Sequence, residues 1–421
     1  MTTTSNGIRP LGLGPAHWAL FDQAAVSAAN FLVGILMARA LAPDGLAVYS
    51  LAITTVLCLS SVHRALIAQP LNILGAQESE ALRRLRYSNL MRIQCWMLPS
   101  MALLALAAGW AFFPAPALVL GTAVYTAVYA LQDLVRRYHY TDGQIVKAVP
   151  GDVFGFGGQC LLLAGMLLMQ QPVSEQSVLW WMSVPLLIAA VWTHRRILQS
   201  GLGSAGTGPR PFEHLREHWS NSKWVVLSQL VWIGASQLIP FQLAAYAQPN
   251  DVAAYHAANA LMNALNVFRL TLGNYLPGQA ARVLSAGGEA SLRAYLGRVG
   301  GGCLSIAVIA FVFFHWAGDV LIDALFAGKY QDAKAVIPAM AVIHLLAMSS
   351  LISAAGAQVM GSTRVIFVSN AMALVLTLTL GSWFIHLWGL WGSIVALAIG
   401  LLLPAAIQAV QLFLLFQRRL R

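Results

Sequence analysis

Twelve apolar stretches, each long enough to cross a bilayer, occupy most of this 421-residue chain, and the charge of the connectors alternates from one to the next. A spanning helix needs roughly 20 mostly apolar residues for a hydrocarbon core about 30 Å thick. Such stretches fall at 17–40, 46–68, 95–113, 117–135, 149–169, 176–193, 224–247, 252–276, 300–317, 336–360, 365–387 and 391–416. Backbone that crosses lipid must satisfy its own hydrogen bonds, so stretches of this length specify helices. The expected fold is an all-α polytopic membrane protein with about 12 transmembrane helices.

With the N-terminus inside, 20 of the 25 Lys and Arg fall in cytoplasmic segments, among them Arg83, Arg84, Arg86, Arg136, Arg137, Arg195, Arg196 and Arg418. Only Arg39, Lys329 and Lys334 fall in outer loops, and Arg64 and Arg269 lie within spans. The positive-inside rule then puts both termini in the cytoplasm. A net charge of +10 would suggest nucleic acid in a soluble protein; here it reads as attraction to anionic inner-leaflet lipid, with no nucleic-acid partner. The segment up to Pro15 lacks the ordered features of a secretory signal, so the first helix is expected to be retained. Cys58, Cys95, Cys160 and Cys303 are scattered in or beside apolar spans and read as small hydrophobes, not as a disulfide or metal framework.

The chain also repeats. At an offset of 206 residues, ARALAPDGLAVYSLA (38–52) lies over AAYAQPNDVAAYHAA (244–258), with Ala38/Ala244, Pro43/Pro249, Ala47/Ala253, Tyr49/Tyr255 and Ala52/Ala258 identical. Both windows bridge an outward-going and an inward-going helix. A shift of six helices preserves orientation, so the expected organisation is two parallel six-helix lobes around a central cavity, at 1–196 and 223–421. They are joined by a cytoplasmic linker, 197–222, with flexible composition in GLGSAGTGP and an amphipathic stretch in FEHLREHW.

Four segments resemble the polysaccharide flippases of the multidrug/oligosaccharidyl-lipid/polysaccharide (MOP) exporter superfamily. ARALAPDGLAVYSLA is similar to the family's turn between helices 1 and 2, and LFAGKYQDAKAVIPAMA (325–341) to its outer segment before helix 10. AQVMGSTR (357–364) is similar to the inner turn after helix 10, and GLWGSIVALAIG (389–400) to the start of helix 12. Where the family usually carries glycine, this chain has Ala42, Ala47 and Ala253, which alters the expected outer turns. The resemblance implies a transporter and not an enzyme, in the inner membrane of a bacterium. It implies a lipid-linked oligosaccharide as substrate, and membrane lipids and polysaccharide polymerase or other biosynthesis proteins as partners.

Polar side chains inside spans are the candidate site, because hydrocarbon makes them costly unless they face a cavity or another helix. In helix 8, His256, Asn259, Asn263 and Asn266 fall within an arc of about 80°, with Arg269 about 60° beyond; in helix 1, Gln23, Ser27, Asn30 and Gly34 share about 60°. Two readings stand, a wet lumen or interhelical hydrogen bonding. Arg64 and Arg269 are 205 residues apart, close to the repeat length, and lie roughly 27 Å from their outer turns. They either meet a pyrophosphate through bidentate guanidinium contacts or snorkel to inner headgroups. Asp22 either titrates or binds a coupling cation, or faces cytoplasmic water, the reading the sequence favours; Asp133 and Asp152 near inner helix ends read the same way.

His214-Leu-Arg-Glu-His218 matches an H-x-x-E-H pattern, but the only later Glu is Glu289 and no third ligand is in evidence, so neither zinc nor catalysis is expected. No G-x-x-x-x-G-K-[ST] loop is present, and no cofactor is expected. The alternatives are a cation-coupled multidrug exporter of the same superfamily, whose substrates favour cavity carboxylates, and a polysaccharide polymerase or ligase. The second would need an outer domain, and the longest outer connector, 318–335, is short.

Overall fold

Proline at the first turn, where a missing N–H costs nothing, opens several of the helices. The first half forms α1 (Pro15–Ala40), α2 (Pro43–His63), α3 (Glu80–Phe112), α4 (Pro116–Thr141), α5 (Ile145–Leu168) and α6 (Glu175–Gln199). A π-helical turn, Arg64–Ala68, prolongs α2, and another, Val153–Gly157, lies within α5. The second half forms α7 (Pro211–Ser236), α8 (Ile239–Tyr246), α9 (Pro249–Met262), α10 (Asn266–Phe326), α11 (Gln331–Leu346) and α12 (Met348–Val359). It ends with α13 (Arg364–Leu376), a π-helical turn Thr377–Gly381 and α14 (Ser382–Arg419). This computed structural model describes residues 15–421 apart from 69–70, 72–74, 76–77, 114, 200–210, 263–264, 361, 363 and 420–421.

Among the described residues nine helices are long and apolar enough to cross a membrane. The final one, Arg364–Gln417, holds the expected spans 11 and 12, while span 7 is interrupted between α7 and α8, and span 8 falls on α9 and the start of α10, on either side of residues outside the described ones. Glycine makes the reversals inside the merged helices. Gly389 has φ 51° and Gly288 φ 67°, values that cost an L side chain strain. A methyl group on Gly381 would lie 3.1 Å from the Ala396 side chain, although a straight helix would separate these positions by roughly 22 Å. The Ser369–Gln408 hydrogen bond, 2.9 Å, holds the same hairpin further along.

The repeated windows adopt the same local structure. Pro43 and Pro249 each begin a helix after a short break, and Ala47, Tyr49, Ala253 and Tyr255 are all buried. Ala42 sits before α2 with φ −71°, so this turn needs no glycine, and the expected alteration of the turn is confined to packing.

Burial divides unequally along the lobes. At the end carrying Ala42 and Lys329, which the loop charges assign to the outside, one apolar cluster runs through both halves, from Met37, Leu46 and Leu118 to Ala253, Leu261 and Met340. Toward the arginine-rich end each half has its own cluster: Tyr87, Leu90, Leu134 and Tyr138 in the first, Leu276, Leu292, Leu296 and Ile352 in the second. The two halves thus share one apolar core at one end and carry separate apolar cores at the other, where Arg86 of α3 still reaches Glu217 of α7. Large apolar side chains such as Trp96, Trp110, Leu161 and Trp316 stay exposed, which suits surfaces that face lipid.

Candidate functional site

Helix α4 runs six residues past the apolar stretch that the sequence marks, and this places its arginines inside the lobe. Gln132, Arg136 and Tyr140 recur every fourth residue and share one face. Arg136 bridges two other helices, meeting Asp22 of α1 at 2.7 Å and Asp152 of α5 at 2.9 Å. Gln23 accepts from Arg136 at 3.3 Å, the Tyr140 hydroxyl donates to Asp22, and Gln132 donates to Asp152 at 2.8 Å. On the adjoining face, Asp133 accepts from Arg64 Nε at 3.3 Å and lies 3.5 Å from Arg137. Three carboxylates and three guanidiniums therefore balance inside the first lobe.

This corrects the reading of the acids. Asp22 is 0% exposed, and Asp133 and Asp152 are buried, so none of the three faces cytoplasmic water. Arg136 and Arg137 likewise do not stand in a cytoplasmic loop: Arg136 is 8% exposed and ion-paired. A guanidinium that reaches both Asp22 and Asp152 holds as counter-ion the place a coupling cation would take at Asp22.

The two in-span arginines have different partners. Arg64 opens the π-helical turn, its side chain still 41% exposed beside its contact with Asp133, so it does not stretch freely toward headgroups. Arg269 lies early in α10 with its guanidinium 5.8 Å from the centre of the Trp232 ring on α7, within cation–π range. Arg64 thus sits at an interruption of its helix, the π turn in span 2. Such interruptions are common at functional sites.

The stripe expected in helix 8 falls only in part on described residues. His256 and Asn259 belong to α9; Asn263 and the Asn266 side chain lie outside the described residues. His256 is half-buried. Its ring packs edge-on against Tyr49 of α2, 5.8 Å between centres, in the seam between the lobes. The α1 stripe crosses from seam to open space. A methyl group on Gly34 would lie 3.3 Å from Ala260 of α9, whereas Asn30, one turn inward on the same face, is exposed and Gln23 is half-buried.

Sequence reasoning missed the closure itself. The carbonyls at the end of α1 lack helical partners, and the opposite lobe supplies donors. Tyr330 donates to Ala38 at 3.0 Å and Leu41 at 3.1 Å; Lys329 Nζ donates to Arg39 at 2.9 Å and Leu41 at 3.1 Å; Arg39 donates to Ala324 at 3.1 Å. Ala327 and Tyr330, both at positive φ, turn the chain so that these donors point across. Burial pushes the Tyr330 hydroxyl up to about 12, so it remains a donor at neutral pH. At the other end, buried Arg86 of α3 holds Glu78 and reaches Glu217 of α7 at 2.9 Å. Glu217 of the H-x-x-E-H stretch is thus an ion-pair partner; the side chains of His214 and His218 lie outside the described residues.

The outer seam makes a direct prediction. Tyr330→Phe combined with Lys329→Ala removes one hydroxyl proton shared between two carbonyls and the two ammonium hydrogen bonds, each bond worth roughly 0.5–1.5 kcal/mol net, and is expected to shift the lobes toward opening outside by about tenfold or more. In a background without native cysteines, alkylation of Asn30→Cys from the cytoplasmic side should slow by a similar factor. An unchanged rate would show that apolar packing alone holds the seam.

No family model matches the sequence, and no curated protein is similar to it in sequence. Solved structures are similar. An inward-facing multidrug resistance MATE family transporter of the MOP superfamily superposes with TM-score 0.73 at 14% identity, covering 93% of this chain and 96% of that one. The lipid II flippase MurJ, in an inward closed conformation, gives 0.70 at 9% identity over 94% and 87%. A MOP superfamily transporter from Pyrococcus furiosus Vc1, described as having a binding pocket of reverse polarity, gives 0.67 at 11% over 98% of each chain. The chain shares the fold of these proteins. In this fold about 12 helices form two lobes; exposed Asn30 on α1 and partly exposed Arg64 after α2 mark the candidate site.

Proposed function

We propose that this protein translocates an undecaprenyl-diphosphate-linked oligosaccharide from the cytoplasmic to the outer leaflet, by alternating opening of its two lobes, for surface polysaccharide synthesis. The observation that carries the reading is the charge of the interior: each of the carboxylates Asp22, Asp133 and Asp152 is held by arginine, while Arg64 stays partly exposed and Arg269 adds a further guanidinium. Such an interior suits an anion. A cationic drug would want a carboxylate free to pair with it. The headgroup would occupy the space between the lobes, with Arg64 and Arg269 toward the pyrophosphate and the prenyl tail in lipid.

Energy need not come from a nucleotide. Two negative charges leaving an inside-negative compartment gain roughly 4–5 kcal/mol at 100 mV if uncompensated. Deletion of the protein is expected to leave lipid-linked oligosaccharide on the cytoplasmic face and to abolish the surface polymer, with drug accumulation unchanged. Normal polymer together with raised drug accumulation would replace this reading with the multidrug exporter.

A further inference from the structure

A polar cavity lies wholly inside the first lobe. It has a volume of about 260 Å³ and opens at the arginine-rich end between α4, α6 and the 3₁₀ turn Ile145–Lys147. Its walls include Arg84, Lys147, Arg196, His139, Thr193 and Asp142. His139 follows Arg136 by three residues, about 60° around α4, so the helix that turns Arg136 into the lobe turns His139 toward this cavity.

The electrostatics of the walls are one-sided. Asp142, the acid among them, is paired with Arg83, and Arg84 is paired with Glu80. Among the described residues Lys147 and Arg196 have no carboxylate partner, and both are exposed at the mouth. The Arg196 guanidinium lies 4.7 Å from the centre of the Trp192 ring, which steadies it at the rim. Two further polar groups in the walls are unspent: His139 Nδ1 and Thr193 Oγ1 are buried without a hydrogen-bond partner, on side chains only 5% and 2% exposed. Unpaired buried donors are costly, and an oxyanion supplies acceptors to both.

The surroundings place this cavity at the membrane surface. Trp192 and Leu198 are exposed on α6, and Val146 on the turn beside Lys147, an arrangement of aromatic and apolar side chains around cations that fits the level of lipid headgroups. We propose that the cavity binds a phosphate group, with Lys147 and Arg196 at its mouth supplying charge and Thr193 and His139 hydrogen bonds. The group is either the headgroup phosphate of an anionic phospholipid of the inner leaflet or a free phosphate. The site is independent of the transported substrate and would stand if that assignment failed.

The test uses the full chain purified in detergent. Retention of phosphatidylglycerol is measured by native mass spectrometry against phosphatidylcholine, and inorganic phosphate binding by equilibrium dialysis. Each surface cation contributes about a fivefold factor toward an anion, so Lys147→Gln or Arg196→Gln should weaken binding about fivefold and the pair about 25-fold. Arg195→Gln, an exposed neighbour outside the cavity walls, should leave it unchanged. Phosphatidylglycerol binding with this pattern assigns the site to lipid; the same pattern with inorganic phosphate alone assigns it to soluble phosphate. Absence of binding for both probes, or equal losses in the Arg195→Gln control, overturns the site. Should the double variant fail to fold, Lys147→Glu on its exposed turn reports the same contrast.

Discussion

Arg136→Met is expected to destabilise the protein by about 3–5 kcal/mol, the cost of breaking a buried ion pair by removing one partner. The mechanism is not loss of attraction alone. Asp22, fully buried, and Asp152 would both be left in the lobe without their shared guanidinium, and Tyr140 and Gln132 supply only hydrogen bonds. The measurement is thermal unfolding of the detergent-solubilised protein, with a large drop in midpoint expected. The triple variant Arg136→Met, Asp22→Asn, Asp152→Asn should recover much of the loss, because neutral amides need no counter-charge and the three sites are strongly coupled. Wild-type stability in Arg136→Met would show that the guanidinium contributes nothing to holding α1, α4 and α5 together.

Arg64→Ala and Arg269→Ala are expected to leave folding largely intact and to reduce translocation of the lipid-linked oligosaccharide strongly. Loss of a charged hydrogen-bonding contact costs roughly 1.5–3 kcal/mol, or about 10- to 150-fold. Folding survives at Arg64 because Asp133 keeps Arg137 at 3.5 Å. Lysine should rescue only in part, since an ammonium keeps the charge but loses the planar fork. The ion pair with Asp133 supplies the discriminating variant. If Arg64 serves the pyrophosphate, Asp133→Asn frees it and transport persists; if the pair is only structural, Asp133→Asn is as damaging as Arg64→Ala. Full translocation at matched expression in the Arg64→Ala, Arg269→Ala double variant would sink the pyrophosphate role.

Sequence alone determined the class, the approximate spans and the sidedness expectation, because apolar length and connector charge are one-dimensional quantities that survive without contacts. It also marked Arg64 and Arg269 as unusual by depth and spacing. It misjudged Asp22, Asp133, Asp152, Arg136 and Arg137 together, for one reason: an ionisable residue near a helix end reads the same whether it points to headgroups or across to another helix. Which occurs depends on how far the helix continues and how it is rotated. Only the tertiary structure, with α4 extended to Thr141, turned Arg136 onto Asp22, 114 positions away in the chain. The outer seam is of the same kind. Tyr330 and Ala38 lie 292 positions apart, and their contact follows from a turn with positive φ that composition does not announce. Lipid selects helices by length and polarity, which the chain carries locally; the pairing of charges between helices is selected by packing, which exists only once the lobes have formed.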